Sequence, residues 1–277
     1  MGMAFHNLSG VDRYTPGIEF AAKNLVRIGV ALLALAAGLV ATIFFGIWCA
    51  GRLGLPKSLG ILSGGGTGIC GISATLAISA TLPQTEEVEQ MTLLTAIGIA
   101  AFSTLAMVTY PLIVASFGLT TNEAGFMLGG AIHDVAQVVG AGYIISPDVA
   151  DFATLTKMFR VAMLMPVVVA MAMIFRSSRA AASPGAKVSF TQVTPVFLLV
   201  FIALAVLNNT VALPPLAVST LTDLSGWCLV VSIAALGVKT ALEKLSKLGW
   251  RPIALFVFEA LFILSWMLVA LFIGRLT

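Results

Sequence analysis

The sequence predicts an all-α membrane protein, a bundle of about eight transmembrane helices of which some are broken. Of its 277 residues, 59% are hydrophobic and only 10% are charged, and the mean hydropathy is +1.06. Soluble domains contain about 25% charged residues, so the composition excludes a soluble globular fold. The gaps between apolar runs are short. We therefore predict a single transmembrane domain over residues 1–277, with no soluble domain.

Eight apolar runs have roughly the 20 residues that cross a bilayer as a helix. In chain order they cover Leu25–Ala50, Ser58–Leu82, Met91–Phe117, Ala124–Tyr143, Leu155–Phe175, Val193–Leu213, Leu216–Val238 and Pro252–Ile273. Lys and Arg gather in the gaps after the first, fifth and seventh runs, which predicts that these gaps are cytoplasmic. The net charge of +3 comes mostly from such gaps, so it is a topology signal and predicts no nucleic-acid partner.

The second run is predicted to be broken, because residues 63–73 read SGGGTGICGIS and contain five glycines. A break at bilayer depth exposes backbone groups and is tolerated only where protein or a water-filled cavity covers them, which often marks a substrate site. Free N–H groups at the start of the next half-helix favour an anion, and nearby hydroxyls add donors. The predicted site residues in this segment are Ser63, Gly66, Thr67, Gly68, Gly71 and Ser73.

Two other interpretations compete for this glycine run. Residues 66–71 also fit the pattern G-x-G-x-x-G, and acidic residues 86–89 follow at roughly the distance of a ribose-binding acid. A dinucleotide site needs a βαβ unit, however, and the flanking segments are apolar spans. Small residues also allow membrane helices to pack closely without binding any ligand.

Three polar residues, His133, Asp134 and Gln137, lie near the middle of the fourth run, with Gln137 one helical turn on. Ionisable groups at that depth are costly unless they have a partner or a water path. A histidine beside a carboxylate is suited to carrying a proton. We predict that this group couples transport to a proton or sodium gradient; the alternative is a hydrogen-bonded pair that only locks helices together.

Lys157 and Arg160 are three residues apart, on one helix face at the start of the fifth run. They are predicted to face the cavity and balance an anionic substrate, and the planar fork of Arg160 suits an oxyanion. The alternative is that both side chains reach outward to the headgroups. Glu259 stands alone inside the last run and is assigned to helix packing or the lipid interface.

Other functional classes lack their sequence signals. Cys49, Cys70 and Cys228 form no C-x-x-C pair and have no histidine cluster nearby, so no metal, cofactor or disulfide framework is predicted. An intramembrane enzyme would need a nucleophile with a base, and Ser73 with His133 is the one conceivable pair, without a recognisable motif. A passive pore would require a continuous polar stripe along several helices.

Four motifs resemble a bacterial family of conserved integral membrane proteins known as sulfate exporters. They are SGGGTGICG at 63–71, GAIHDVAQVVGAG at 130–142, KMFRV at 157–161 and ALGVK at 235–239. The resemblance covers about residues 16–277. It implies a multi-pass protein of the bacterial inner membrane, with about ten helices, an inverted repeat and two crossed, broken helices. It also implies a secondary transporter that exports or exchanges a small anion such as sulfate.

Relative to that family, we expect this chain to be shortened, with one or two helices missing before Pro16 and a connector missing between Leu33 and Ala34. Residues 27–33 and 232–239 look like weak repeat partners, yet only the second is followed by a basic connector. A membrane protein without transport activity is therefore an alternative. The expected partners are the lipid bilayer, a small anion, a coupling proton or sodium ion, and further copies of the chain in a homo-oligomer.

Overall fold

The computed structural model describes residues 26–175 and 249–276, together with single residues at 203, 220, 224, 227, 228 and 231. The two continuous stretches contain helices and no strand. The helices are α1 (Val26–Arg52), α2 (Lys57–Gly68), α3 (Ile72–Ser79), α4 (Glu86–Ser116), α5 (Thr121–Ala131), α6 (Val135–Ile145), α7 (Pro147–Ala162), α8 (Leu164–Ile174) and α9 (Trp250–Leu276). The predicted sixth and seventh runs lie almost wholly outside the described residues, and the motif at 235–239 lies wholly outside them.

Four helical spans in the described part are long and apolar enough to cross a membrane. They are Gly29–Arg52, Glu86–Ser116, Pro147–Ile174, which joins α7 and α8, and Trp250–Gly274. The all-α membrane fold is therefore confirmed. The count of about eight spans stays a prediction, because two predicted runs fall outside the described residues and two others are broken into short halves.

Local sequence signals set the starts of the helices. Thr85 caps α4 by accepting a hydrogen bond from the Val88 amide at 3.3 Å, and the first turn of α4 is acidic, as the helix dipole favours. Ser146 caps α7 in the same way, and Pro147 occupies the first helical position. Because α7 starts at this cap, it begins eight residues before the predicted start at Leu155.

The second apolar run is broken as predicted, and the break at residues 69–71 lies in the last part of the glycine-rich segment 63–73. α2 continues through the glycines at 64–66 and ends at Gly68, and α3 starts at Ile72. Gly71 has φ +73°, a conformation that side chains with a Cβ rarely adopt. Glycines earlier in α2 face α1 instead: a Cβ at Gly64 would lie 2.8 Å from the Thr42 carbonyl oxygen. Close packing and a helix break therefore both occur, at different glycines.

The fourth apolar run is also broken, and His133 and Asp134, near its middle, lie in the break and not within a helix. α5 ends at Ala131 and α6 starts at Val135. Asp134 is in an extended conformation, with φ −102° and ψ 143°, and its carboxylate accepts a hydrogen bond from the Ala136 amide at 2.9 Å. The acid therefore caps a new half-helix, which accounts for a break that contains neither Gly nor Pro.

The broken helices lie between the long ones. α2 packs along α1, both halves α5 and α6 pack against α7, and α9 contacts α1 and α5. One apolar core joins α5 to α9 through residues such as Met127 and Met267, and another joins α2 to α7 through Leu62 and Val161. The two breaks meet between these cores: a Cβ at Gly71 would lie 3.5 Å from the His133 carbonyl oxygen. We call this meeting point, residues 67–71 and 130–134, the crossing.

Candidate functional site

Lys157 on α7 joins the two halves of the crossing. Its Nζ donates a hydrogen bond of 2.9 Å to the Ile69 carbonyl oxygen and one of 2.7 Å to the Ile132 carbonyl oxygen. These carbonyls follow the ends of α2 and α5, where the last carbonyls of a helix have no partner within the helix. One ammonium group therefore serves the ends of both broken helices.

Arg160, one turn further along α7, makes the same connection with more bonds. Its Nε donates to the Gly68 carbonyl oxygen and its Nη2 to the Thr67 carbonyl oxygen, both at 3.0 Å. Nη2 also bonds to the Gly68 carbonyl and Nη1 to the Gly130 carbonyl. The carbonyl end of a helix carries partial negative charge, so a planar, charged fork is well suited to it.

Both cations are fully buried, each with 0% exposed surface. The interpretation that their side chains reach outward to the headgroups is therefore wrong. The error arose because the helix was predicted to start at Leu155, which placed both residues near its end. Among the described residues, neither cation forms an ion pair with a carboxylate. Carbonyl dipoles offset only part of two positive charges, so the crossing is electropositive.

The start of α3 adds to this positive character. Gly71 is its N-cap residue, and no side chain caps the helix. The first N–H groups of a helix lie at its positive end and favour an anion. Ser73, in the first turn of α3, has an exposed side chain, so the structure separates this predicted site residue from the buried cations.

Three polar residues lie in or just after the second break, and their environments differ: they are His133, Asp134 and, in the first turn of α6, Gln137. His133 is buried and its Nδ1 has no hydrogen-bond partner among the described residues. Gln137 donates to the Thr104 hydroxyl at 2.8 Å, whereas its Oε1 is unpartnered in the same part of the chain. The carboxylate of Asp134 bonds to the Ala136 amide, and no hydrogen bond joins His133 to Asp134 among the described residues. The two residues therefore do not form the predicted alternative, a hydrogen-bonded pair that locks helices together.

The structure thus brings most predicted site residues together and moves others away. Those at the crossing, or bonded to it, are Gly66, Thr67, Gly68, Gly71, His133, Asp134, Lys157 and Arg160. The hydroxyl of Ser63 is turned instead toward α9. No cluster of three His, Cys, Asp or Glu residues suitable for a metal ion occurs within the described parts of the chain.

Glu259 is a buried acid to which the sequence interpretation assigned no functional role. Its side chain is 0% exposed, so its assignment to the lipid interface is wrong. One carboxylate oxygen accepts a hydrogen bond from the Ser63 hydroxyl at 2.6 Å, and the other accepts one from the Thr67 hydroxyl at 3.2 Å. An isolated acid inside an apolar span is itself a signal of a functional site, and that signal could have identified it.

Comparisons with known proteins agree with a membrane protein. A family model described as conserved hypothetical protein 698 matches residues 1–256. The chain is 41% identical to a UPF0324 membrane protein of Chlorobaculum tepidum, over 95% of this chain and 78% of that protein. It is 39% identical to the UPF0324 membrane protein TauZ of Paracoccus denitrificans, over 98% and 85% of the two chains. A UPF0324 membrane protein of Rhizobium meliloti is also 39% identical, over 98% and 84%. No solved structure matches the chain.

Proposed function

The chain belongs to the conserved hypothetical protein 698 family and is a multi-pass membrane protein, and on that premise we propose that it is a secondary transporter. Its substrate is a small anion, either sulfate or an anion derived from a sulfonate, which the protein exports or exchanges. The transport is driven by a proton or sodium gradient. The bilayer is that of the bacterial inner membrane.

The observation that carries this proposal is the electropositive crossing. Lys157 and Arg160 are both fully buried, and within the described residues their partners are carbonyl oxygens and not carboxylates. Buried charge inside a membrane is costly and tends to mark a substrate or ion pathway. Broken helices whose ends meet near the bilayer midplane form the substrate sites of many secondary transporters. A small anion complements this charge.

The packing of the crossing favours a carrier over a passive pore. Most of the backbone at the two breaks is covered: at most 4% of the surface of Ile69, Cys70 or Ile132 is exposed, and Asp134 is only partly exposed. A path through such a region requires a conformational change, and carriers depend on such a change. An enzyme that uses Ser73 and His133 has less support, because the serine side chain is exposed and the histidine is buried.

Coupling through His133 and Asp134 is the second part of the proposal. Both residues lie in the break between α5 and α6. Lys157 is nearby, because it bonds to the carbonyl oxygen of Ile132, the residue directly before His133. A change in the charge of either residue therefore occurs beside the positive charges that attract the anion. Such proximity is what links the binding of an anion to the binding of a cation.

We expect the Asp134→Asn variant to lose the stimulation of sulfate flux by a pH gradient. Asparagine is as good a helix cap as aspartate, so the half-helix α6 is retained while the ionisable group is removed. The measurement is radiolabelled sulfate flux in proteoliposomes, with and without an imposed pH gradient. Sodium gradients and a sulfonate are tested in parallel.

The matched control is Asp151→Asn, the same chemical change at an exposed position on α7. It should respond to the gradient as the unmodified protein does. Equal gradient responses in both variants would remove Asp134 from the coupling step. An absence of flux for sulfate and for sulfonates in the unmodified protein would reject this substrate class.

A further inference from the structure

Glu259 forms a compact polar cluster away from the two cations of α7. The carboxylate lies on α9 and is held by two hydroxyls of α2, those of Ser63 and Thr67, which are one helical turn apart. Each hydroxyl donates to a different carboxylate oxygen. Neither Ser63, Thr67 nor Glu259 has more than 2% of its surface exposed. We call these three residues the carboxylate cluster.

No cation faces the carboxylate cluster from the described residues. On α1, Cys49 is the titratable group that interacts electrostatically with Glu259, and on α4 the Tyr110 hydroxyl lies 3.5 Å from the Ala260 carbonyl oxygen. The other charged residues of α9 and of the helices that pack against it lie at helix ends: Arg27, Arg52, Lys57, Glu86, Glu87, Glu89, Glu123, Arg251 and Arg275. An ionised carboxylate here is therefore buried without an opposite charge, and uptake of a proton removes that cost.

We propose that Glu259 is a site that binds and releases the coupling proton, with Ser63 and Thr67 as its hydrogen-bonding partners. This inference rests on the proposed function, since a coupling proton requires a transported substrate. It adds a second ionisable group to Asp134. The step is a simple protonation, in which the carboxylate takes a proton from one aqueous side and later returns it to the other.

The packing around the carboxylate cluster favours a proton over a sodium ion. The Ser63 hydroxyl contacts the carboxylate directly at 2.6 Å, and the backbone of α1 at Gly46 lies close against the same carboxylate oxygen. A Cβ at Gly46 would collide with Oε1 of Glu259 and would also lie 2.7 Å from the Gly60 carbonyl oxygen. A bound metal cation needs several oxygen ligands around it, whereas a proton needs only one oxygen and no additional space.

Thr67 connects the carboxylate cluster to the crossing. Its hydroxyl donates to Glu259, and its carbonyl oxygen accepts a hydrogen bond of 3.0 Å from Arg160. An ionised carboxylate only accepts hydrogen bonds, but a protonated one also donates. A protonated Glu259 can donate to the Ser63 or Thr67 hydroxyl, which then accepts. Such a change at Thr67 alters the hydrogen bonding of the last turn of α2. That turn ends at the crossing, so the state of the proton reaches the anion site through a single residue.

The test compares Glu259→Gln with Glu89→Gln in the full chain. Glu89 lies exposed in the first turn of α4, so the control makes the same chemical change far from the carboxylate cluster. One measurement is radiolabelled sulfate flux in proteoliposomes, with a pH gradient, with a sodium gradient at equal pH, and with neither. The other is the carboxyl stretching band in infrared difference spectra of the reconstituted protein between acid and alkaline pH.

In Glu259→Gln we expect sulfate flux to become the same with and without the pH gradient, and one carboxyl band to disappear from the difference spectrum. Glu89→Gln should keep both the band and the gradient response. If Glu259→Gln does not fold, Glu259→Asp should keep a titrating band at a shifted position. A gradient response equal to that of the unmodified protein, an unchanged spectrum, or flux that follows sodium alone would overturn the inference.

Failure of the proposed function gives a different result. If the unmodified protein moves no sulfate under any condition, the flux measurement rejects the transport of sulfate. The infrared measurement still decides whether Glu259 takes up a proton in the working pH range. If the unmodified protein moves sulfate in response to the pH gradient and Glu259→Gln gives the same response as Glu89→Gln, the proposed function stands and this inference fails.

Discussion

Replacement of Arg160 by methionine is expected to abolish anion transport and to lower the free energy of unfolding by several kcal/mol. The guanidinium supplies hydrogen bonds to the carbonyls of Thr67, Gly68 and Gly130, all at the crossing. Each buried acceptor left without a donor costs about 1–3 kcal/mol. Loss of the charge also removes half of the positive charge that attracts the anion.

The measurement is thermal unfolding of the purified protein in detergent, followed by tryptophan fluorescence, together with sulfate flux. Arg160→Lys keeps the charge but loses the planar fork, so we expect an intermediate stability. Arg52→Met is the control: Arg52 is exposed at the end of α1 and lies over the Trp48 ring at 5.0 Å. The free energy of unfolding of Arg52→Met should fall by at most about 1 kcal/mol. Unfolding of Arg160→Met at the temperature of the unmodified protein would contradict a structural role for this arginine.

The second large effect is expected from Gly64→Ala, which adds one methyl group between α1 and α2. The new Cβ would lie 2.8 Å from the Thr42 carbonyl oxygen and 2.9 Å from the Ile43 Cα. Both are backbone atoms, so the helices themselves must move apart. Overpacking of a tight interface costs about 1–3 kcal/mol, and displacement of α2 also weakens the bond from Ser63 to Glu259.

The same substitution at Gly51 provides the comparison, because a Cβ there meets no atom within 4 Å. Alanine favours a helix over glycine by up to about 1 kcal/mol, so Gly51→Ala should leave stability unchanged or slightly raised. Thermal unfolding in detergent measures both. If Gly64→Ala is as stable as Gly51→Ala, the close contact between α1 and α2 is not required.

Local sequence predicted the first break within residues 63–73 but not which of the glycines forms the turn. Five glycines in one apolar run disfavour a continuous helix, and α2 does end among them, at Gly68. Only Gly71 takes the positive φ that the turn requires, whereas Gly64 serves the contact with α1. The role of each glycine depends on which helix packs against it. The sequence around the glycines does not distinguish a turn from a close helix contact.

The second break was missed because Ile132, His133 and Asp134 include no residue that forbids a helix. Asp134 before an apolar stretch is a possible helix start, but the same residue also fits a polar site inside a continuous helix. For α7, Ser146 followed by Pro147 was a clear start signal. Hydropathy alone placed the start at Leu155, and this error moved Lys157 and Arg160 from the middle of a span to its end.

The partners of Glu259 could not be predicted from spacing. Ser63 lies 196 residues away in the sequence and Thr67 lies 192 residues away. Burial of the acid is visible in the sequence, because it lies inside an apolar run, but the identity of its hydrogen-bond donors depends on how α9 packs against α2. The residue types of the site were thus predicted, while the pairs that they form required the fold.

The bonds of Lys157 and Arg160 determine which helices can move relative to one another. Each side chain reaches carbonyls at the ends of both α2 and α5. These two ends cannot separate without leaving a buried charge unbonded, which is strongly unfavourable. For the proposed transport function, we therefore expect that a cycle which opens the site first to one face of the bilayer and then to the other carries α2, α5 and α7 together as a rigid body. The displacement is then taken up at the contacts of that body with α1, α4 and α9.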